Sequence, residues 1–415
     1  MIRSALLVIL LLVFPKGFDS AINAQAEVDE RAMISFDKGL GFHSPDTTFG
    51  LNLRFRIQNR LGFSGFSGND PVIDKVDARI RRLRLRIDGY TRNDRLTYYL
   101  QLSFSRSDQD WDNSGVPNII RDAMVYYSFS DNFYIGFGQG KLPGNRQRIN
   151  SSGQLQFADR SDVNAMFNID RDFGVMGYYS NNISGFHYNL KSAVSSGEGR
   201  NALASDNGLA YTARIELMPL GRFKGDGDFS EGDLEREPAP KLSLAGGYSF
   251  NHKAVRDMGQ RGSPLYEARD IKTLYFDALM KYRGWAAYAE YMDRRTDDPV
   301  TLSPDGEFAH VQTGFGVNMQ LSYVFRNNIE LAGRYSYINP KNIYYQTGLP
   351  SGEGGSPVLI SIPGTDEYTL GITRYLVRHK IKAQGNIGYR ITENISPGEG
   401  SSANWIIQFQ VELGI

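Results

Sequence analysis

Guanidinium groups are concentrated near the start of the chain, and their spacing gives them a common direction. Leu51, Leu53, Phe55 and Ile57 alternate with Asn52, Arg54, Arg56 and Gln58, and Arg60 continues the polar set. Further on, Leu83, Leu85 and Ile87 alternate with Arg82, Arg84 and Arg86. Successive side chains of an extended chain point to opposite faces. Two strands would thus each carry three arginines on one face and an apolar row on the other. Ala78 and Ile80 fall on even positions while Leu83 and Leu85 fall on odd ones, so the pattern predicts a β-bulge at Arg81-Arg82. Positions 51 to 92 hold ten Lys and Arg against four Asp and Glu, in a chain whose 46 basic and 46 acidic residues cancel. The positive charge is therefore local. Arginine is always charged, and its forked donors match phosphate or carboxylate oxygens. A file of six such side chains could hand an anion from one to the next. The competing role is pairing with carboxylates on adjoining strands, such as Asp88, Asp122 and Glu412, which would brace a wall instead.

A second charged group surrounds residues 142–171: Lys141, Arg146, Arg148, Arg160 and Arg171, with Asp159, Asp162 and Asp170. Long connections in compact proteins are commonly functional, and this one is expected to fold inward as a constriction. Other chemistry finds little support. Of the five histidines (His43, His187, His252, His310 and His379), His187 lies on a polar face near Ser184 and Ser192. A hydrolase would need a His–Ser pair oriented by a third group, so no catalytic residue is assigned. The chain has no Walker-type Gly-Lys-Ser/Thr run, no His-x-x-x-His pair and no Cys. No metal and no cofactor is expected. Nor is there a basic face with interleaved aromatics, so no nucleic acid is expected as a partner.

The elements that would hold these residues are strands. Period-2 alternation recurs near 49–63, 76–90, 94–106, 119–129, 132–141, 172–180, 184–194, 208–218, 240–252, 270–282, 285–293, 308–325, 328–338, 366–376, 379–391 and 403–415. About sixteen segments result, many as long as the ~9–11 residues a tilted strand needs to cross lipid. Numbered from the first hairpin, the even connections are mostly tight, as at Asn181-Asn182 and Arg283-Gly284. The odd ones are long: 64–75, 107–118, 142–171, 195–207, 253–269, 294–307, 339–365 and 392–402. Short turns on one side and long loops on the other distinguish a membrane barrel from a soluble sandwich. The exception is the long acidic connection 219–239, expected to protrude into the periplasm. Aromatic residues stand near strand ends, where girdles would be: Tyr90, Phe133, Tyr179, Phe250, Tyr282, Trp285, Phe325, Tyr337 and Trp405. At the N-terminus, Arg3, an apolar stretch over 5–14 and Ala24-Gln25-Ala26 form a secretory signal with its cleavage site. Residues 1–26 are thus expected to be a signal peptide. A short periplasmic segment, 27–47, and a barrel, 48–415, follow.

Several of these motifs resemble the phosphate-selective porin O and P family. They are Lys38-Gly39-Leu40, Arg81-Arg82-Leu83-Arg84-Leu85 with Asp88-Gly89, and Asp122-Ala123 with Tyr126. Gly138-Gln139-Gly140-Lys141-Leu142-Pro143 and Asp170-Arg171-Asp172-Phe173-Gly174-Val175 complete the set. The similarity extends over roughly residues 35–415. Gly140 stands where an aromatic is common in the family, and Gly144 where Phe is expected. The resemblance implies a sixteen-stranded homotrimer whose third external loop folds inward and whose basic residues guide anions. Its arginine file would fall on Arg54, Arg56, Arg82, Arg84 and Arg86.

These readings converge on one expectation: an all-β protein, a transmembrane antiparallel β-barrel of about sixteen strands. It would sit in the bacterial cell outer membrane, with lipid outside and small anionic solutes diffusing through a watery lumen. A surface barrel with a blocked lumen, recognising ligands by its loops, is the main rival, and a barrel hydrolase the lesser one.

Overall fold

The computed structural model describes residues 33–36, 39–65, 73–92, 94–108, 118–202, 208–341, 343–348, 354–360, 362–393 and 401–415. Residues 1–26, expected to form the signal peptide, lie outside them. Sixteen strands close an antiparallel barrel. A short hairpin, β1 (Met33–Ser35) and β2 (Leu40–His43), precedes β3 (Phe49–Ser64), β4 (Lys75–Thr91), β5 (Leu96–Ser103), β6 (Ile120–Ser130) and β7 (Phe133–Lys141). Two short helices follow, α1 (Arg146–Ile149) and α2 (Asp162–Phe167). The wall resumes with β8 (Arg171–Ile183), β9 (Phe186–Ser195), β10 (Ala210–Met218), β11 (Lys241–Arg256), β12 (Pro264–Tyr282) and β13 (Trp285–Arg295). An external hairpin, β14 (Val300–Leu302) and β15 (Phe308–His310), precedes β16 (Gly314–Val324) and β17 (Ile329–Pro340). A second, β18 (Ile343–Gly348) and β19 (Gly354–Ile360), precedes β20 (Thr365–Val377), β21 (Ile381–Thr392) and β22 (Ser402–Gly414). The seam joins β22 to β3, from Ile406 opposite Ser64 to Gly414 opposite Arg56. Where β22 ends, β2 pairs with the remaining edge of β3, Leu40 opposite Leu53 and His43 opposite Gly50. Each part of that edge covered by a neighbour has its backbone groups hydrogen-bonded, as a membrane requires.

The burial pattern is that of a protein turned inside out. Along β22, Phe409, Val411 and Leu413 are 51%, 42% and 43% exposed, whereas Gln410 and Glu412 are each 1% exposed. The same inversion places Gln320, Glu330, Lys382 and Gln384 inside, and Leu321, Leu331, Leu370 and Ile372 outside. A row of apolar side chains left facing outward all round a closed sheet is stable only against lipid. The bulge is present: Gln58 faces Arg82 and Asn59 faces Ile80, which leaves Arg81 as the extra residue. It keeps Val76 and Ile80 outward, and turns Arg82, Arg84 and Arg86 inward.

Tight turns join strands at one end. At Ser184-Gly185 and Arg283-Gly284 both central residues have positive φ (50° and 89°; 48° and 98°), the twist that matches a two-residue hairpin. The first of these stands three residues beyond the predicted Asn181-Asn182, because β8 continues to Ile183. Of the aromatic residues near strand ends, Phe133, Trp285, Phe325 and Trp405 face outward. Phe129 packs on Phe133, and Trp285 on Tyr323, which continue the belt. Tyr90 does not belong to it: it lies on the inward face of β4, with His43 stacked 6.1 Å away. At the other end β11 and β12 run well past the predicted 252 and 270.

The acidic connection 219–239 departs most from expectation. It does not protrude but folds up into the barrel, where Glu231, Asp233 and Glu237 are buried. Lys281 of β12 donates to the carbonyls of Gly227 and Gly232 and to Ser230, at 2.6, 2.7 and 2.9 Å. Phe223 packs with Met218, Leu279 and Tyr288 in a small apolar cluster.

Candidate functional site

Residues 142–171 cross the interior and fasten to one side of it. Asn145 donates to Glu290 of β13 at 3.1 Å, and Arg146 to Asp277 of β12 at 2.6 Å. Gln156 donates to Gln320 of β16, and its carbonyl accepts from Thr373 of β20 at 3.0 Å. Lys382 of β21 donates to the Leu155 carbonyl at 2.7 Å. Arg60 of β3 pairs with Asp159 and donates to the Ala158 carbonyl at 3.0 Å. Val163, Phe167, Ile169 and Leu142 pack against Tyr275, Met292 and Ile338 of that wall. Ser161 caps α2 by accepting from the Asn164 amide at 3.1 Å. Gly144 lies close against the far end of the segment: a Cβ there would stand 2.6 Å from Ile169 Cβ. The family's expected Phe could not fit.

The two inward segments meet. Glu231 of the periplasmic connection accepts from Gln147 at 3.0 Å and from the Gln156 amide at 3.0 Å. Its own amide donates to the Gln154 carbonyl at 3.1 Å. Together they fill the side of the lumen walled by β11–β13, β16, β17, β20 and β21. The opposite side, walled by β4–β10, stays open as a cavity of about 2360 Å³. Residues of the short-turn end (Tyr90, Arg378, Lys380) and of the long-loop end (Arg200, Arg256, Arg261) both line it. The cavity therefore extends along the barrel from one end to the other.

The six wall arginines divide by position. Arg60 and Arg82 are buried; Arg60 pairs with Asp159, and Arg82 donates to Gln58 at 2.7 Å. Arg56 donates to Ser152 at 2.7 Å and lies 3.7 Å from Glu412. Arg54 and Arg86 share one carboxylate, Asp88. Arg84 is paired with Asp108, which it shares with Arg121 at 3.0 Å. Arg82, Arg84 and Arg86 line the cavity; Arg54, Arg56 and Arg60 do not. Of the loop residues, Arg146 is locked against Asp277, and Arg171 donates to Asp122 at 2.8 Å. Lys141 donates to the carbonyls of Ile149 and Asn150 at 2.8 and 3.0 Å, closing the C-terminal end of α1. Arg148 grips Asp170, and Arg160 donates to the Gln147 carbonyl at 2.6 Å. Arg121, Arg200 and Arg261 also line the cavity. They escaped the sequence reading because they sit outside any alternating basic row.

Charge is crowded here. Burial, with Arg148, Arg84 and Arg171 nearby, pulls the Arg160 guanidinium down to about 9. Burial raises the Asp159 carboxyl, but Arg81, Arg60 and Arg82 outweigh it and hold the group well below the usual range. Asp162, at the start of α2, is pushed up to about 6 by burial and by Glu367, against the pull of Arg390. No group of metal-ligating side chains occurs among the described residues. His187 and Ser192 alternate on β9 and face opposite ways, and Ser184 lies in the turn. The strand therefore does not bring His187 and Ser192 together.

The model of the phosphate-selective porin O and P family matches residues 51–221, so the resemblance carried by the motifs holds over that part of the chain. No curated protein matches. Solved structures share the fold at low identity. The anion-selective porin from Comamonas acidovorans is 12% identical, covers 88% of this chain and all of its own (100%), and has a TM-score of 0.52. Pseudomonas putida OprB is 10% identical, with 89% and 95% covered and a TM-score of 0.51. The outer membrane channel DcaP of Acinetobacter baumannii is 10% identical, with 90% and 99% covered and a TM-score of 0.50. The chain thus has the barrel fold of these bacterial outer-membrane proteins, and over residues 51–221 it is similar to the porin O and P family.

Proposed function

We propose that this barrel is a passive, anion-preferring diffusion channel, with residues 142–171 as its constriction and phosphate-like anions among its solutes. One observation carries the reading: the cavity is lined by sixteen Lys and Arg against ten Asp and Glu, an excess of six positive charges in a chain of zero net charge. Such an excess in a narrow, low-dielectric cleft concentrates anions and repels cations. Arg84 and Arg86, with Arg121, Arg148 and Arg160, form the anion path. Arg60, Arg82, Arg146 and Arg171 hold the wall and the inward loop in place, and Arg54, Arg56 and Lys141 support them. Two inward segments that meet would suit a blocked lumen, but the cavity beside them, lined from both ends, favours conduction.

A homotrimer is the assembly that the family resemblance implies. Cross-linking in detergent would then trap three copies.

The deciding measurement is the reversal potential in planar bilayers across a KCl gradient, repeated with phosphate present. An anion-signed potential, with chloride current reduced by phosphate, is expected. Equal permeability to both ions refutes the preference, and absence of steady conductance refutes the channel.

A further inference from the structure

Four tyrosines stand side by side on the open wall: Tyr99 (β5), Tyr126 (β6), Tyr134 (β7) and Tyr178 (β8). All lie on the short-turn side of the inward loop, all line the cavity, and all are half-buried. The Tyr134 and Tyr178 rings are stacked, 4.6 Å apart and 12° from parallel. Tyr126 meets both edge-on at 6.0 and 6.4 Å. Gly136 makes the arrangement possible, since a Cβ there would stand 2.7 Å from the Tyr126 ring. Tyr99 donates to Gln101 at 3.1 Å, and Tyr178 to the Met176 sulfur at 3.4 Å. Among the described residues nothing accepts from the Tyr126 or Tyr134 hydroxyl.

Cations bound the patch on both sides. The Arg86 guanidinium lies 4.4 Å from the Tyr99 ring centroid, and its side chain is 41% exposed. Lys191 stands directly opposite Tyr178 in the register of β8 and β9, but it is paired with Glu216 at 2.8 Å. Flat rings beside an exposed guanidinium match a ligand with a flat ring and a negative edge. Bare phosphate would use only the cations.

We propose that this patch is a subsite for aromatic carboxylates of the benzoate class, which stack on the tyrosines while Arg86 holds the carboxylate. The proposal rests on the channel reading and adds planar organic anions to its solutes. The test is block of chloride current by benzoate in planar bilayers, compared with cyclohexanecarboxylate, which has the same charge and nearly the same size but no π face. Aromatic stacking adds ~0.5–1.5 kcal/mol beyond area burial, so benzoate should block at a roughly twofold to twelvefold lower concentration. Tyr134→Phe should keep that advantage and Tyr134→Leu should lose most of it. Equal block by the two acids in the native protein overturns the subsite even if neither variant folds, as does an unchanged advantage in Tyr134→Leu. Reversal potential in KCl alone, read on the same channels, separates this failure from failure of anion preference.

Discussion

Replacing Arg86 by Gln removes one positive charge from the channel without leaving a buried group unpaired. Arg86 and Arg54 share Asp88, so the two guanidiniums and one carboxylate carry a net charge of one. After Arg86→Gln, Arg54 still neutralises Asp88, and little stability is lost because Arg86 is substantially exposed. A solute ion passing at ~8 Å from that charge in a watery cavity feels ~0.5 kcal/mol. Anions lose this attraction and cations lose an equal repulsion, so selectivity changes by ~1 kcal/mol, about a fivefold fall in the anion-to-cation permeability ratio. The reversal potential across a KCl gradient reads that ratio directly. The effect should be largest near 0.1 M salt, where the Debye length is about 10 Å, and nearly vanish at 1 M, where it is about 3 Å. A variant of normal folding and conductance whose reversal potential matches the native value at low salt refutes the reasoning, because the cavity's charge would then not govern passage.

Acidification should sharpen anion preference between pH 7 and 5. Asp162, pushed up to about 6, is charged above that pH and neutral below it, so protonation leaves the cavity more positive. Asp162→Asn should flatten this titration, and an identical pH profile in the variant assigns it elsewhere. Gly144→Ala should loosen the inward loop, since the new methyl would crowd Ile169 at a cost of ~1–3 kcal/mol; larger, noisier single-channel steps are the readout. Glu231→Ala removes two hydrogen bonds to a charged acceptor, ~1.5–3 kcal/mol each. It should free the periplasmic connection and raise conductance, and unchanged current would mean that this connection does not narrow the path.

The barrel was legible in the sequence because lipid imposes its period on every residue that touches it. Where strands rise beyond the membrane, as β11 and β12 do, both faces meet water and the alternation fades, so 253–269 looked like a loop. Residues 219–239 misled for a related reason. A lumen and a periplasm are both wet, and Glu231, Asp233 and Glu237 are equally suited to either. The arginine row could be read, but not how its members divide. Pairs such as Arg60 with Asp159 and Arg146 with Asp277 join segments brought together only by closure, and no local spacing encodes them. Serine and glutamine partners of the loop, such as Ser152 and Gln156, carry no chemical signature at all.

The seam between the first and last barrel strands is also stitched from within. Arg60 of β3 reaches Gln410 of β22 at 3.1 Å and the Ala158 carbonyl, while Lys382 and Gln384 of β21 take the carbonyls of Leu155 and Gln156. Residues 155–158 thus take donors from both the opening strand and the final hairpin, which closure brings side by side. The start of the inward loop is anchored to β12 and β13 by Arg146 and Asn145, and its middle is fastened where the barrel closes. Once seated it acts as a clasp, and prising the cylinder apart along that line means first withdrawing the clasp.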